Sequence, residues 1–128
     1  MKFWRHAVVG LVCLAMGFLV VGQALPPQAQ GAAPAKGKPA LYEFGAGYCF
    51  SCKEMATIMA ELTKSHSDQV EFRMVYVDKE KPLFDHYKIM LIPTQVFLDA
   101  SGKEVDRHIG ALTKDEVLKK LKELNFIR

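Results

Sequence analysis

Lys2 and Arg5 are the only formally charged residues before Lys36. A folded domain keeps its charges on a solvated exterior, so any globular structure in this chain must be built from the residues that follow. The chain has 128 residues in all, which leaves room for one ordinary domain and not for two. Its 17 Lys and Arg against 14 Asp and Glu give a net charge of +3, which drops to +1 once Lys2 and Arg5 are set aside. That balance excludes a nucleic-acid binder, which would carry a basic stripe. The lysines from Lys114 to Lys122 are interleaved with Asp115, Glu116 and Glu123, the pattern of a solvated helix face.

The head of the chain reads as an export segment. Lys2 and Arg5 precede an unbroken apolar run from Ala7 to Gly22, and Gly22-Gln23-Ala24 has the small-x-small form of a signal cleavage site. Residues 1–24 are therefore expected to be a signal peptide, with an uncleaved N-terminal anchor over 6–22 as the alternative. Either outcome puts the rest of the chain outside the cytoplasm, because the positive charges stay inside. That implies a periplasmic or other extracytoplasmic location, with membrane contact only through this segment. Cys13 lacks the small residue before it that lipid attachment requires and is read as packing. Residues 25–38, rich in Pro, Gln, Ala and Gly, are read as a flexible linker, and residues 39–128 as the folded domain. No internal repeat occurs.

Within that domain the apolar periodicity changes element by element. Leu41 to Ala46 is a short apolar strand in which Glu43 is the one charge. Met55, Ile58, Met59 and Leu62 form the stripe of an amphipathic helix from about Phe50 to Ser65. Val70 to Val77 alternates as a second strand, and Pro82 opens a short helix to about Tyr87. Gln95–Leu98 and Glu104–Ile109 are strands joined by the turn residues Asp99 to Gly102, and so antiparallel neighbours. Thr113 and Glu116 make a capping box for a last helix whose apolar face is Val117, Leu118, Leu121 and Leu124. The order β-α-β-α-β-β-α predicts parallel pairing where helices join strands, and a mixed sheet covered on both faces. Tyr42, Phe44, Phe72, Tyr76 and Phe97 are the expected aromatic core. His66, His86 and His108 are expected at the surface.

Cys49 and Cys52 are the only cysteines outside the head, and they fall where the first strand hands over to a helix. There the first thiol meets unpaired backbone N–H groups and the positive end of the helix dipole, both of which favour a thiolate. Cys49 is thus expected to attack and Cys52, one turn on, to resolve. Three other readings compete. Zinc would need two more ligands at matched spacing, haem attachment would need His where Lys53 stands, and a purely structural disulfide would close a loop too short to stabilise much.

Together, Cys49-x-x-Cys52 after a strand, Ile92-Pro93-Thr94 before the third strand and Gly110-Ala111-Leu112-Thr113-Lys114 before the last helix make residues 40–127 resemble the thioredoxin superfamily. Ala-Gly-Tyr-Cys followed by Ser-Cys-Lys-Glu is most similar to the exported thioredoxin-like domain of membrane thiol:disulfide interchange (DsbD-type) proteins. The resemblance implies an α/β fold, a three-layer α/β/α sandwich on a mixed four-stranded sheet. It implies a redox-active Cys49–Cys52 disulfide, a cis bond before Pro93 that frees neighbouring backbone for a substrate strand at Ile92 and Thr94, and a buried acid at Glu43 that moves the Cys52 proton. Tyr48 takes the place of the family's Trp as an aromatic wall, and Phe50, between the cysteines, is expected to be exposed as part of an apolar docking patch. Phe50-Ser51 replaces Gly-Pro, Met74 replaces the lysine that accompanies the acid in thioredoxin, and the N-terminal strand and helix of full thioredoxin are missing.

The activity so implied is an exported thiol–disulfide oxidoreductase. It would reduce disulfides of protein partners through a mixed disulfide at Cys49, drawing electrons from a membrane donor protein and serving, among other pathways, cytochrome c maturation. No cofactor or metal is expected, and the chain is expected to be a monomer. A disulfide oxidase or isomerase, or a non-catalytic module binding Cu(I) through Cys49 and Cys52, are the competing expectations.

Overall fold

The computed structural model describes residues 37–128, so the expected export segment, Cys13 and most of the linker lie outside the described residues. The elements are β1 (Ala40–Gly45), α1 (Phe50–His66), β2 (Glu71–Tyr76), α2 (Lys81–His86), β3 (Thr94–Leu98), β4 (Glu104–Ile109) and α3 (Lys114–Glu123). The strands form one mixed sheet in the order β2-β1-β3-β4. β1 and β3 are central, and every residue in both is buried. That accounts for their continuous apolar runs, since a strand covered on both faces has no solvent side on which to alternate.

Each face of the sheet carries its own core. On one face Leu41 and Phe97 pack with Met55, Met59 and Leu62 of α1 and Val117 and Leu121 of α3. On the other, Tyr42, Phe44, Val96 and Leu98 pack with Leu83 and Phe84 of α2. Tyr42, Phe44 and Phe97 are fully buried, while Phe72 is partly buried against the first core. Tyr76, expected in the core, is only half-buried, with Lys79 over its ring. It lies on β2, an edge strand with a neighbour on one side only.

One expected pairing is reversed. β1 and β2, joined by α1, are parallel, but β3 runs antiparallel to β1 although α2 precedes it. A parallel crossover must carry the chain back along the whole strand, roughly 20 Å. The six residues of α2 make a helix of only about 9 Å. The connection therefore starts and finishes at the same end of the sheet, and β3 enters beside the end of β1, with Thr94 opposite Phe44. Beyond it, Asp99 Oδ1 accepts the N–H groups of Ser101 and Lys103 and closes the hairpin to β4. Thr113 and Glu116 make the reciprocal capping box that starts α3.

Candidate active site

The end of the sheet where β1 stops and β3 begins carries the chemistry. After Gly45 the chain turns sharply, the Cys49 N–H bonding back to Ala46 O at 3.1 Å, and Cys49 becomes the N-cap of α1. Its Sγ accepts the Cys52 backbone N–H at 3.3 Å. Cys49 and Cys52 form a disulfide with their Cα atoms 5.2 Å apart. The Ser51 hydroxyl lies 3.6 Å from Cys49 Sγ and is the donor, since a disulfide sulfur has no hydrogen to give. Cys49 is half-buried, whereas Cys52 is 1% exposed. An incoming disulfide can therefore reach Cys49 and not Cys52. Once the bond is reduced, the Cys52 N–H and the start of a 17-residue helix stabilise negative charge on Cys49.

Glu43 lies beneath the pair. Leu41, Glu43 and Gly45 alternate onto the face that α1 covers. Leu41 is in the α1 core, and a Cβ on Gly45 would stand 3.2 Å from Cys52 Sγ. Glu43 is 0% exposed. Its Oε2 accepts the Gln95 Nε2 hydrogen at 2.8 Å, while its Oε1 and Gln95 Oε1 are buried without a hydrogen-bond partner among the described residues. Burial pushes the carboxyl up to about 8, against a smaller downward pull from the Gln95 hydrogen bond. Met74 stands opposite Glu43 on β2 and packs into the first core, so the acid has an apolar flank and no lysine on that side.

The peptide between Ile92 and Pro93 is cis. Pro93 has no N–H, and its carbonyl accepts Gly110 N–H at 2.8 Å. Thr94 is 2% exposed, its hydroxyl donates to Leu91 O at 2.8 Å, and its backbone sits in the sheet between Phe44 and Ile109. Of the Ile92 and Thr94 pair named from sequence, then, Thr94 turns inward. Ile92, on the N-terminal side of the cis bond, makes no backbone–backbone hydrogen bond among the described residues. Tyr48 and Phe50 are exposed, Phe50 at 77%. Sequence reasoning missed Met90, which is 89% exposed, and Leu91, two exposed apolar residues that stand just before Ile92 and Pro93 in the chain. It also missed Gln95, although a polar residue in the apolar run Thr94–Leu98 was a signal of the same kind as Glu43. His66, His86 and His108 do not converge. No group of three or more His, Cys, Asp or Glu side chains able to hold a metal occurs among the described residues.

A mixed four-stranded sheet with a disulfide at the start of its first helix, a cis-proline entering the antiparallel strand and a buried acid behind the pair define a thiol–disulfide oxidoreductase of thioredoxin fold. The thioredoxin family model matches residues 31–123, and the chain belongs to that family. It is 36% identical over 121 residues to the thiol:disulfide interchange protein TxlA homolog of Synechocystis, covering 83% of this chain and 67% of that one. It is 34% identical over 84 residues to the chloroplastic thioredoxin-like protein HCF164 of Oryza sativa, covering 64% of this chain and 32% of that one. Among solved structures, the germline-specific thioredoxin Deadhead of Drosophila melanogaster superposes with a TM-score of 0.61 at 28% identity, covering 68% of this chain and 81% of that one.

Proposed function

We propose that this protein is an exported reductase of protein disulfides. The observation that carries the reading is the asymmetry of the pair, with Cys49 reachable at a helix start and Cys52 buried on the face of α1 that covers β1, where Glu43 is also buried. In the proposed cycle the Cys49 thiolate attacks a substrate disulfide, one substrate sulfur leaves as thiolate, and a mixed disulfide forms. Glu43 takes the Cys52 proton, and Cys52 then displaces the second substrate thiolate from Cys49. The substrate is reduced by two electrons and the pair is left oxidised, to be restored by a dithiol donor. The exposed Tyr48, Phe50, Met90 and Leu91 supply an apolar landing for the partner chain, which the Ile92 backbone can hold as a strand.

Export is supported by Lys2 and Arg5 ahead of the Ala7–Gly22 run. Among the described residues no helix is long and apolar enough to cross a membrane; the anchor proposed as the alternative to cleavage is residues 6–22. Net reduction, kinship with the exported domain of DsbD-type interchange proteins, supply by a membrane electron-donor protein and a place in cytochrome c maturation rest on the motif resemblance around Cys49. The name of the TxlA homolog as a thiol:disulfide interchange protein agrees with exchange chemistry in either direction. The test is the equilibrium potential of the Cys49–Cys52 couple together with insulin-disulfide reduction. A potential near roughly -270 mV with catalytic turnover supports the reductase, and one near roughly -120 mV would assign an oxidase. For export, a mature start at Leu25 marks a cleaved signal, and an intact Met1 in washed membranes marks an anchor.

A further inference from the structure

Gln95 is the one hydrogen-bond partner of the Glu43 carboxyl among the described residues, and the two meet from adjacent strands. Glu43 on β1 is in register with Gln95 on β3, and both side chains are fully buried on the face covered by α1 and α3. Gln95 Nε2 donates to Glu43 Oε2 at 2.8 Å, while both remaining oxygens, Glu43 Oε1 and Gln95 Oε1, are buried acceptors without a donor among the described residues. Two buried acceptors beside a made hydrogen bond are costly as they stand. One proton on Glu43 Oε1 would change that, because the resulting O–H is a donor and the Gln95 carbonyl can accept it. A glutamine is suited to both states, since its N–H₂ serves a carboxylate and its C=O serves a carboxylic acid. A lysine in its place would hold the acid ionised, and a leucine would serve neither form.

We propose that Gln95 is a positioning residue for proton exchange with the thiols, its amide engaging one oxygen of Glu43 so that the other, Oε1, is the site that takes the proton of Cys52. The inference rests on the reading of Glu43 as that acceptor. The step balances: Cys52 S–H loses its proton to Oε1, and the thiolate attacks Cys49 of the mixed disulfide. The Cys49–substrate bond breaks as the Cys49–Cys52 bond forms, and the substrate leaves as a thiolate that takes a proton from water. Glu43 later returns its own proton to solvent.

The surroundings leave few rivals for this exchange. Met74 flanks Glu43 on β2, and His108 on β4, half-buried, is in register with Gln95 one strand further along the same row. α1 contributes Cys52 and Met55, and the buried positions of α3 are Val117 and Leu121. Cys52 is thus the titratable group that α1 buries on the face covering Glu43; His108 lies beyond Gln95, and Lys120 of α3, over the Phe97 ring, is paired with Asp106 of β4. Burial holds the Glu43 carboxyl up and the Gln95 hydrogen bond draws it down, so removing the amide should push it further up.

The experiment follows the Glu43 side-chain carboxyl by carbon NMR in the oxidised full chain, where the thiols do not titrate, together with the pH profile of turnover on a protein disulfide. Gln95→Met is expected to raise the Glu43 midpoint by about one pH unit, because the hydrogen bond lost to the charged carboxylate is stronger than the neutral one lost to the acid. The alkaline shift should also appear in the turnover profile. In a Glu43→Gln background, Gln95→Met should leave the profile where Glu43→Gln puts it, because Gln95 acts only through Glu43. Gln95→Leu gives the same comparison if the Met variant does not fold. An unmoved Glu43 midpoint, beside a Glu43→Gln variant whose profile is altered, would overturn the role of Gln95 and leave that of Glu43 standing. A shift that persists in the Glu43→Gln background would also overturn it. An unchanged profile in Glu43→Gln itself would remove both.

Discussion

Gly45 and Cys52 are in such close approach that a Cβ placed on Gly45 would stand 3.0 Å from Cys52 Cβ and 3.2 Å from its Sγ. Backbone therefore forms the floor beneath the resolving cysteine, and only glycine leaves room for the sulfur. Gly45→Ala should push α1 from the end of β1, costing about 1 to 3 kcal/mol as an overpacked core does. The denaturation midpoint of the oxidised protein measures this, and an unaltered midpoint would mean that α1 yields freely at Cys52.

The two sulfurs should differ sharply in reactivity. Cys49 is half-buried and capped by the Cys52 N–H, and Cys52 is buried. Limiting iodoacetamide at pH 7 on the reduced protein should label Cys49 first, as read by peptide mass mapping. Preferential modification of Cys52 would exchange the two roles.

Glu43 should make stability depend on pH. Its carboxyl titrates near 4.5 when exposed and is raised to about 8 by burial in the fold. Below 4.5 both states are protonated and the group costs nothing. As pH rises from 4.5 to 8 the unfolded chain ionises more readily than the folded one, so stability falls, and it levels off above 8. Glu43→Gln should abolish that slope and leave the oxidised protein more stable at pH 8, by on the order of a few kcal/mol. Urea unfolding at pH 4, 6 and 8 reads it out. Turnover on a protein disulfide should fall in the same variant, with its pH profile changed. Equal slopes in the two proteins would mean that Glu43 pays no burial penalty.

The exposed apolar residues near the pair should matter for large substrates only. Replacing Phe50 with Ser or Met90 with Gln removes apolar surface from the landing, and one contact of about 1 kcal/mol corresponds to a roughly five-fold rise in KM for a protein disulfide. The rate of Cys49 alkylation by iodoacetamide should change by less than two-fold. A KM that does not move in either variant would show that partners dock elsewhere.

Much of this was legible along the chain because it depends on neighbours a few residues apart. The Met55-Ile58-Met59-Leu62 stripe, the Thr113–Glu116 capping box and the Asp99–Gly102 turn are each set within one or two turns of backbone, and each forms where the pattern indicates. The placing of Cys49 at a helix start belongs to the same class. So does the oddity of Glu43, because a charge inside a short apolar run is visible without knowing what lies opposite.

Which groups meet was decided only by the folded chain. α2 is too short to carry the chain back along the sheet, so β3 enters antiparallel beside the end of β1, contrary to the simplest reading of the element order. That reversal brings Pro93 to the end of the sheet that carries the cysteines, turns Thr94 inward, and leaves Met90 and Leu91 exposed. It also sets Gln95 against Glu43, 52 residues away in sequence. Periodicity in sequence determines the kind of element and the face it buries, because those follow from local backbone geometry. The direction and register of a distant strand follow from the length of the connection and the packing of both faces at once, and those exist only in three dimensions.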